Sequence, residues 1–158
     1  MTGLPLAVGD LVVYGSHGAG TIVSRATRDV RGERQTVVVL LLPGDLSIEL
    51  PLARAEEQLR PVADEAELQN LKRVLTAGEA PSDAPWLKRR QDALAKLSTT
   101  VGLAEIISDA ASREKAGMSL SPSEREVAKR ARELLSREIA LGRGIELAEA
   151  NTWIDDQV

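Results

Sequence analysis

The chain has 158 residues, a mass of 17.0 kDa, 43% hydrophobic residues and a formal net charge of −4. With no cysteine and one histidine, it excludes a disulfide framework, a thiol nucleophile and a thiolate or histidine-rich metal site. The acidic balance argues against a non-specific nucleic-acid coat, so any DNA contact must be small or supported by a second protein.

The first 62 residues are predicted to form a small antiparallel β domain. Short apolar stretches alternate with glycine- and proline-containing turns, which indicates four strands: Leu11–Tyr14, Thr21–Arg25, Thr36–Leu42 and Leu46–Leu50. The spacing predicts a strongly bent sheet or barrel, with the third strand, apolar on both faces, inside it. Charged residues between the second and third strands are expected on a solvated loop: Arg28, Asp29, Arg31, Glu33 and Arg34.

Two local patterns refine this sheet. Residues alternate along the fourth strand, so that Leu46, Ile48 and Leu50 are expected to point one way and Glu49 the other. The glycine-rich segment 17–20 has no lysine and no following helix, so it predicts a turn between strands and not a phosphate loop.

From Ala63 onward the apolar period changes to 3.6, which predicts a compact domain of about five helices over residues 63–158. A capping box of Asp64 and Glu67 opens the first helix, and Gly78 is expected to close it. Its apolar face carries Leu68, Leu71 and Leu75.

The starts of the later helices are also marked. The second helix is predicted to follow Pro85, and the third carries an apolar stripe ending before Gly117. Ser121, with Pro122 at the first helical position and Glu124 three residues on, opens the fourth. A last amphipathic segment covers Ile145–Ile154.

Trp86 lies in the first turn of the second predicted helix, and Lys88, Arg89 and Arg90 follow it. On a helical wheel the ring falls near Leu94 and Leu97 and could extend a buried stripe. Arg90 interrupts that sector, which favours an exposed ring. A large flat ring beside cations is typical of a wedge into nucleic acid.

The fourth helix carries a basic stripe of Arg125, Lys129 and Arg132, which the spacing of four and three places on one face. Such stripes are usually solvated surface. If this one lies beside Lys88 and Arg89, the two clusters form a patch that can hold a phosphate backbone.

In their order along the chain, these motifs resemble the CarD/CdnL family of bacterial transcription regulators. The residues that carry the resemblance are Val8-Gly9-Asp10, Val12-Val13-Tyr14, His17-Gly18-Ala19-Gly20, the Gly32 hairpin, Gly44-Asp45-Leu46 with Leu50-Pro51, Trp86 with Lys88-Arg89, Leu120-Ser121 with Glu124-Arg125, and Ala131-Arg132.

The resemblance implies an α+β protein, in which a Tudor/SH3-like antiparallel β-barrel over 1–62 binds the β subunit of RNA polymerase. It implies that a helical domain over 63–158 contacts promoter DNA at the upstream edge of the bubble, with a tryptophan wedge. Carried over to this chain, Trp86 takes the wedge position, Lys88 and Arg89 the basic pair after it, and Arg125 the basic position on the fourth helix, while Arg28 matches a polymerase-contacting arginine. With the neighbouring residues of the same clusters, the predicted DNA-binding residues are Trp86, Lys88, Arg89, Arg90, Arg125, Lys129 and Arg132. The predicted polymerase-binding residues are Arg28, Asp29, Val30 and Glu49.

The chain also departs from the family pattern. Glu49 stands where some relatives have an arginine that contacts polymerase, Pro85 replaces a polar residue, Arg90 replaces an aromatic, and Ala110-Ala111 replace bulkier residues. An alternative is therefore an adaptor that binds polymerase through its β domain and another protein through its helices.

The expectations for the whole chain follow from what it lacks. No nucleophile, base and orienting group can be assembled from these residues, so we expect no enzymatic activity, no cofactor and no metal. The longest apolar run, Val37–Pro43, is far below the roughly 20 residues that span a bilayer, and no signal segment follows Met1. We therefore expect a soluble, monomeric cytoplasmic protein with no membrane partner.

Overall fold

Strands and helices segregate along the chain into two units, residues 1–62 and 63–158. A computed structural model describes residues 6–77 and 81–158. Within them the protein is α+β, with a five-stranded antiparallel sheet in the first unit and five of its six α-helices in the second. The helix end predicted at Gly78 lies outside the described residues.

The sheet of the first unit has the strand order β4-β3-β2-β1-β5. Its strands are β1 (Leu11–Tyr14), β2 (Ala19–Val30), β3 (Glu33–Leu42), β4 (Leu46–Pro51) and β5 (Leu59–Pro61). β3 lies inside the sheet, as its apolar residues predicted. β4 and β5 are the two edges in the described part of the chain, so the sheet is open and the predicted barrel closure is not confirmed.

β2 and β3 form a longer hairpin than the sequence predicted. Paired residues continue to Val30 opposite Glu33, and the chain reverses at Arg31 and Gly32, both with positive φ (52° and 83°). The predicted solvated loop is therefore wrong, because most of its charged residues belong to strands. This end of the hairpin is largely exposed, so no apolar alternation marks it in the sequence.

A short helix, α1 (Leu52–Gln58), joins β4 to β5, so the prediction of an all-β domain was wrong. Only Ala55 of this helix is buried. Seven residues with one buried position give too little periodicity to be recognised in the sequence.

The core of the first unit lies on one face of the sheet and under α1. Ile48 and Leu50 pack into it, as the alternation along β4 predicted, but Leu46 is 54% exposed beside the 43–45 turn. The buried members are Leu6, Val12, Ile22, Val38, Leu40, Leu42, Leu50, Ala55 and Leu59.

The second unit contains five helices in its described residues, in agreement with the predicted number. They are α2 (Glu65–Thr76), α3 (Trp86–Lys96), α4 (Thr100–Lys115), α5 (Pro122–Arg143) and α6 (Leu147–Gln157). The core forms mainly from apolar residues of α2, α4, α5 and α6: Ala63, Leu68, Leu71, Leu75, Leu103, Ala104, Ile106, Ile107, Ala131, Leu134, Leu135, Ile139, Ala150 and Ile154.

The predicted helix starts are confirmed at α2 and α5. The Asp64 side chain accepts a hydrogen bond from the Glu67 amide at 2.8 Å, and the Glu67 side chain accepts from the Asp64 amide. Ser121 accepts from the Glu124 amide at 3.2 Å. No helix in the described ranges is long and apolar enough to cross a bilayer.

A buried carboxylate joins three segments of the second unit. Glu138 on α5 is 1% exposed and accepts hydrogen bonds from the Ala63 amide at 2.8 Å and the Thr100 hydroxyl at 3.1 Å. These bonds hold the starts of α2 and α4 against α5, since a buried carboxylate without such donors would be strongly destabilising.

Candidate functional site

α3 differs from every other α-helix of the described chain because none of its residues is buried. The predicted buried stripe is wrong at Leu94, which is 41% exposed, although Leu97 just after the helix packs against the core. Leu87 is 86% exposed. The half-buried side of the helix carries Arg89 and Lys96 beside Trp86 and Ala93, whereas both leucines within the helix lie on the exposed side.

Trp86 is the first residue of α3 and is half-buried, outside the hydrophobic core of the described residues. Its indole Nε1 donates a hydrogen bond to the Ser123 hydroxyl at 3.1 Å, next to the start of α5. The Arg89 guanidinium lies 5.4 Å from the ring centroid, within the range of a cation–π contact. The ring is thus held at its edge and on one face, with part of its surface in solvent.

Arg89 is bonded within the second unit. Its Nε donates to the Ala84 carbonyl oxygen at 2.7 Å, and its Nη2 donates to the Glu124 carboxylate at 3.0 Å. Its Nη1 lies 3.7 Å from the Asp109 carboxylate. These contacts fix the guanidinium beneath Trp86 and compensate most of its charge.

Arg89 belongs to a mostly buried ionic cluster, which we define as Arg89, Asp109, Arg113 and Glu124, and of which Asp109 is the most exposed member, at 42%. Arg113 is 3% exposed and lies 2.8 Å from Asp109 and 3.6 Å from Glu124. The cluster joins α3, α4 and α5. In the sequence, only the i,i+4 spacing of Asp109 and Arg113 indicates this cluster, because the pattern around Ser121 predicts a helix-capping role for Glu124.

The ionic cluster lines a cleft of about 860 Å³ together with Trp86 and Lys96. Lys96 lies 3.1 Å from the Glu105 carboxylate and 3.5 Å from that of Asp92. Partial burial lowers the pKa of Lys96, but the hydrogen bond and charge of Glu105, with those of Asp92, outweigh it and raise the pKa above its ordinary value. Lys96 therefore stays charged at neutral pH and adds a second ionic contact between α3 and α4.

Lys88 and Arg90 are exposed, and neither makes an ion pair or hydrogen bond through its side chain within the described residues. They lie on either side of Leu87 around the helix, since neighbouring helical positions are about 100° apart. Of the three cations predicted after Trp86, these two can reach a ligand without giving up an internal partner.

The basic stripe of α5 lies away from Trp86. Arg125, Lys129 and Arg132 line a second depression of about 360 Å³ between α4 and α5. Ser123, which bonds Trp86, and Arg125 are two residues apart, so they point about 200° apart around the helix. The predicted residues therefore form two clusters, one on each side of α5.

Within the basic stripe, Arg132 differs from the other two residues. It bonds the Asp155 carboxylate at 2.8 Å and so ties α5 to α6. Arg125 and Lys129 are exposed and have no ion-pair partner in the described ranges.

In the first unit, two of the four predicted polymerase-binding residues contact each other. Arg28 on β2 and Glu49 on β4 form an ion pair of 2.7 Å across β3, with both side chains 51% exposed. Asp29 is exposed, and Val30 is half-buried at the end of β2. The pair occupies the sheet face opposite the core, where Glu49 was expected.

Two family models match this chain, one to each unit. Residues 6–63 match the CarD-like/TRCF RID domain, and residues 70–155, more than half of the chain, match the CarD C-terminal domain. A protein of Bacillus subtilis (strain 168), named "Putative transcription factor YdeB", is 28% identical over 142 residues, which cover 87% of this chain and 92% of that protein.

Proposed function

The chain belongs to the CarD-like family of transcription factors, with an RNA polymerase-interacting domain in its first unit, and we propose that it stabilises the promoter open complex. In this proposal the first unit, a Tudor-like domain, docks on the polymerase β subunit. The second unit contacts promoter DNA at the upstream edge of the bubble. The protein acts as a cytoplasmic monomer and catalyses no reaction.

Docking through the first unit is supported by the match to the RID domain and by charged residues exposed at the sheet face opposite the core. Arg28, Asp29 and Glu49 are exposed on or beside this face. The name of the similar Bacillus subtilis protein is that of a transcription factor, which agrees with a polymerase partner. Tethering by polymerase also explains how an acidic chain can use a modest DNA contact, because it raises the local concentration of the second unit at the promoter.

The position of Trp86 is the main support for the DNA contact. Trp86 opens a helix without buried residues, and its ring is held by Ser123 and Arg89 but remains partly in solvent. Apolar and aromatic wedges of this kind insert between base steps in the minor groove and favour distorted DNA. A ring that is already oriented loses less conformational entropy on insertion.

The cations take different parts in this proposal. Arg90, exposed on the same side of α3 as the ring, and Lys88, exposed about 200° from the ring around the helix, bind phosphates. Arg89 holds the ring through the ionic cluster. Arg125 and Lys129 bind a second stretch of backbone from the other side of α5, whereas Arg132 is already paired with Asp155.

The energetic requirement is modest. The protein must bind the open complex better than the closed one, and each 1.4 kcal/mol of that difference shifts the ratio of the two states by about tenfold. One inserted ring with two or three phosphate contacts is sufficient for a shift of that order.

The test is the lifetime of the open complex after challenge with a competitor, measured with the polymerase of the host and the full chain. Trp86→Ala is expected to shorten the lifetime by about tenfold, while polymerase binding and the helical circular dichroism stay as in the wild type. Unchanged lifetime with Trp86→Ala would refute the wedge. Loss of helical structure would assign the ring to the core.

The adaptor alternative has one observation in its favour, the two exposed leucines on α3. Binding to a preassembled polymerase–promoter complex at rising salt distinguishes the two functions. If the second unit contacts DNA, Lys88→Ala and Arg125→Ala each weaken the DNA-dependent part of binding and reduce its salt dependence. An adaptor would bind equally well with either variant.

A further inference from the structure

The large hydrophobic residue with the highest exposed fraction in the described part of the chain lies on the outward side of α3. Leu87 is 86% exposed, and Leu94, seven residues on and on the same side, is 41% exposed. A surface helix normally turns its apolar stripe toward the core and its charges toward water. In α3 both sides are mixed, because Arg89 and Lys96 line the cleft together with Trp86 and Ala93, and Leu87 and Leu94 are exposed.

This orientation of α3 is stabilised by ion pairs within the second unit. Arg89 and Lys96 find carboxylates on α4 and α5, at 3.0 Å for Glu124 and 3.1 Å for Glu105. These contacts fix the rotation of α3 about its axis. Leu87 therefore cannot turn inward unless the ionic cluster breaks.

The surroundings of Leu87 define the partner that fits it. Lys88 and Arg90 flank it, exposed and without ion-pair partners in the described residues. The carboxylate of Asp92, farther along the helix, is engaged by Lys96. An apolar tip between two available cations is complementary to a base step between two phosphates.

We propose that Leu87 is a second apolar residue that enters the minor groove, at a position next to the one that Trp86 occupies. The proposal rests on the DNA contact proposed above and adds one residue, Leu87, to it. Adjacent helical residues differ by about 1.5 Å in rise and 100° in direction, so the two side chains leave α3 at nearly one level and reach separate positions along the groove. The Trp86 ring is tied to Ser123, whereas Leu87 projects freely into solvent.

The experiment measures open-complex lifetime, with a fluorescent base analogue at the upstream edge of the bubble, for a set of variants in the full chain. Leu87→Ser removes the apolar tip, and Leu87→Met keeps its volume and polarity. Leu94→Ser is the matched control on the same side of α3, two turns away. Trp86→Ala tests the underlying DNA contact.

We expect Leu87→Ser to shorten the lifetime at least threefold and to reduce the response of the base analogue, because it removes apolar surface that the DNA covers. Leu87→Met is expected to retain the wild-type lifetime, and Leu94→Ser to stay within twofold of it. The three leucine variants should keep a melting temperature close to that of the wild type, since neither leucine is buried.

Two results would overturn the proposal. If Leu87→Ser leaves the lifetime unchanged while Trp86→Ala shortens it, the tryptophan acts alone and the proposed function stands. If Leu87→Ser and Leu94→Ser shorten it equally with no change at the base analogue, the outward side of α3 binds a protein. Unchanged lifetimes for both Trp86→Ala and Leu87→Ser would refute the proposed function itself.

Discussion

Helices α3 and α6 have the same length, 11 residues, and each places a tryptophan near an arginine. The Arg89 guanidinium lies 5.4 Å from the centroid of the Trp86 ring, and the Arg143 guanidinium lies 5.7 Å from that of Trp153. However, Trp153 packs against the hydrophobic core, on a helix that buries Ala150 and Ile154, whereas α3 buries nothing. Similar local chemistry therefore gives one structural tryptophan and one that is available to a partner.

The difference lies in how each helix is attached. α6 is held mainly by apolar burial, which is non-directional and tolerates small shifts, with one ion pair between Asp155 and Arg132. α3 is held by hydrogen bonds and ion pairs from Trp86, Arg89 and Lys96, which act only in one geometry. An element attached in this way presents its outward side in a fixed orientation.

The largest loss of stability is expected when Trp153 is replaced, and a smaller loss when Trp86 is. Trp153→Ala should reduce the free energy of unfolding of the second unit by about 3 kcal/mol, because it removes a large side chain packed against the core. Trp86→Ala should cost about 1 kcal/mol, for one hydrogen bond and one cation–π contact. Denaturant unfolding followed by circular dichroism at 222 nm measures both, and equal losses would remove the distinction.

The second prediction concerns the ionic cluster. Glu124→Ala leaves Arg89 and Arg113 with Asp109 as their remaining carboxylate. It should reduce the free energy of unfolding by about 2 kcal/mol. Hydrogen exchange should accelerate in α3 and not in α6. Glu126→Ala, which changes an exposed glutamate two residues away, is the matched control, and an equal effect there would contradict the assigned role of the cluster.

A smaller effect is expected from Ser123→Ala, which removes the hydroxyl that accepts from the Trp86 indole. The free energy of unfolding should fall by about 0.5 kcal/mol, because the hydrogen bond that is lost is exposed to water. Indole fluorescence of this variant in a Trp153→Phe background should show faster collisional quenching than the background alone. Unaltered quenching would mean that Arg89 is sufficient to hold the ring.

The smallest effect on stability is expected in the first unit, where an exposed ion pair provides a contrast to the buried cluster. Glu49→Gln breaks the pair with Arg28 and should change unfolding by under about 0.5 kcal/mol, because both side chains are half exposed. Its effect should appear in polymerase binding, where the released Arg28 changes the salt dependence. A large loss of stability would contradict this contrast.

The parts that sequence could predict are those set by local rules. Asp64 and Ser121 cap helices because their side chains accept bonds from amides three residues on, and the apolar faces of α2 and α5 repeat every 3.6 residues. The charged end of the β2–β3 hairpin and α1 were not recognised, since neither has a clear buried face. At α3 the helical wheel placed Leu94 in a buried stripe, because periodicity cannot tell which side of a weakly amphipathic helix faces inward.

The sequence by itself determined the division into a β-rich unit and a helical unit, the starts of several helices and the family, because capping, periodicity and the order of motifs are local or linear properties. The tertiary structure decided what each charged residue does. Arg89 and Arg90 are neighbours in the chain, yet one is fixed under Trp86 by Glu124 and the other is exposed. That distinction depends on carboxylates brought from α4 and α5, and contacts between distant segments arise only when the chain packs.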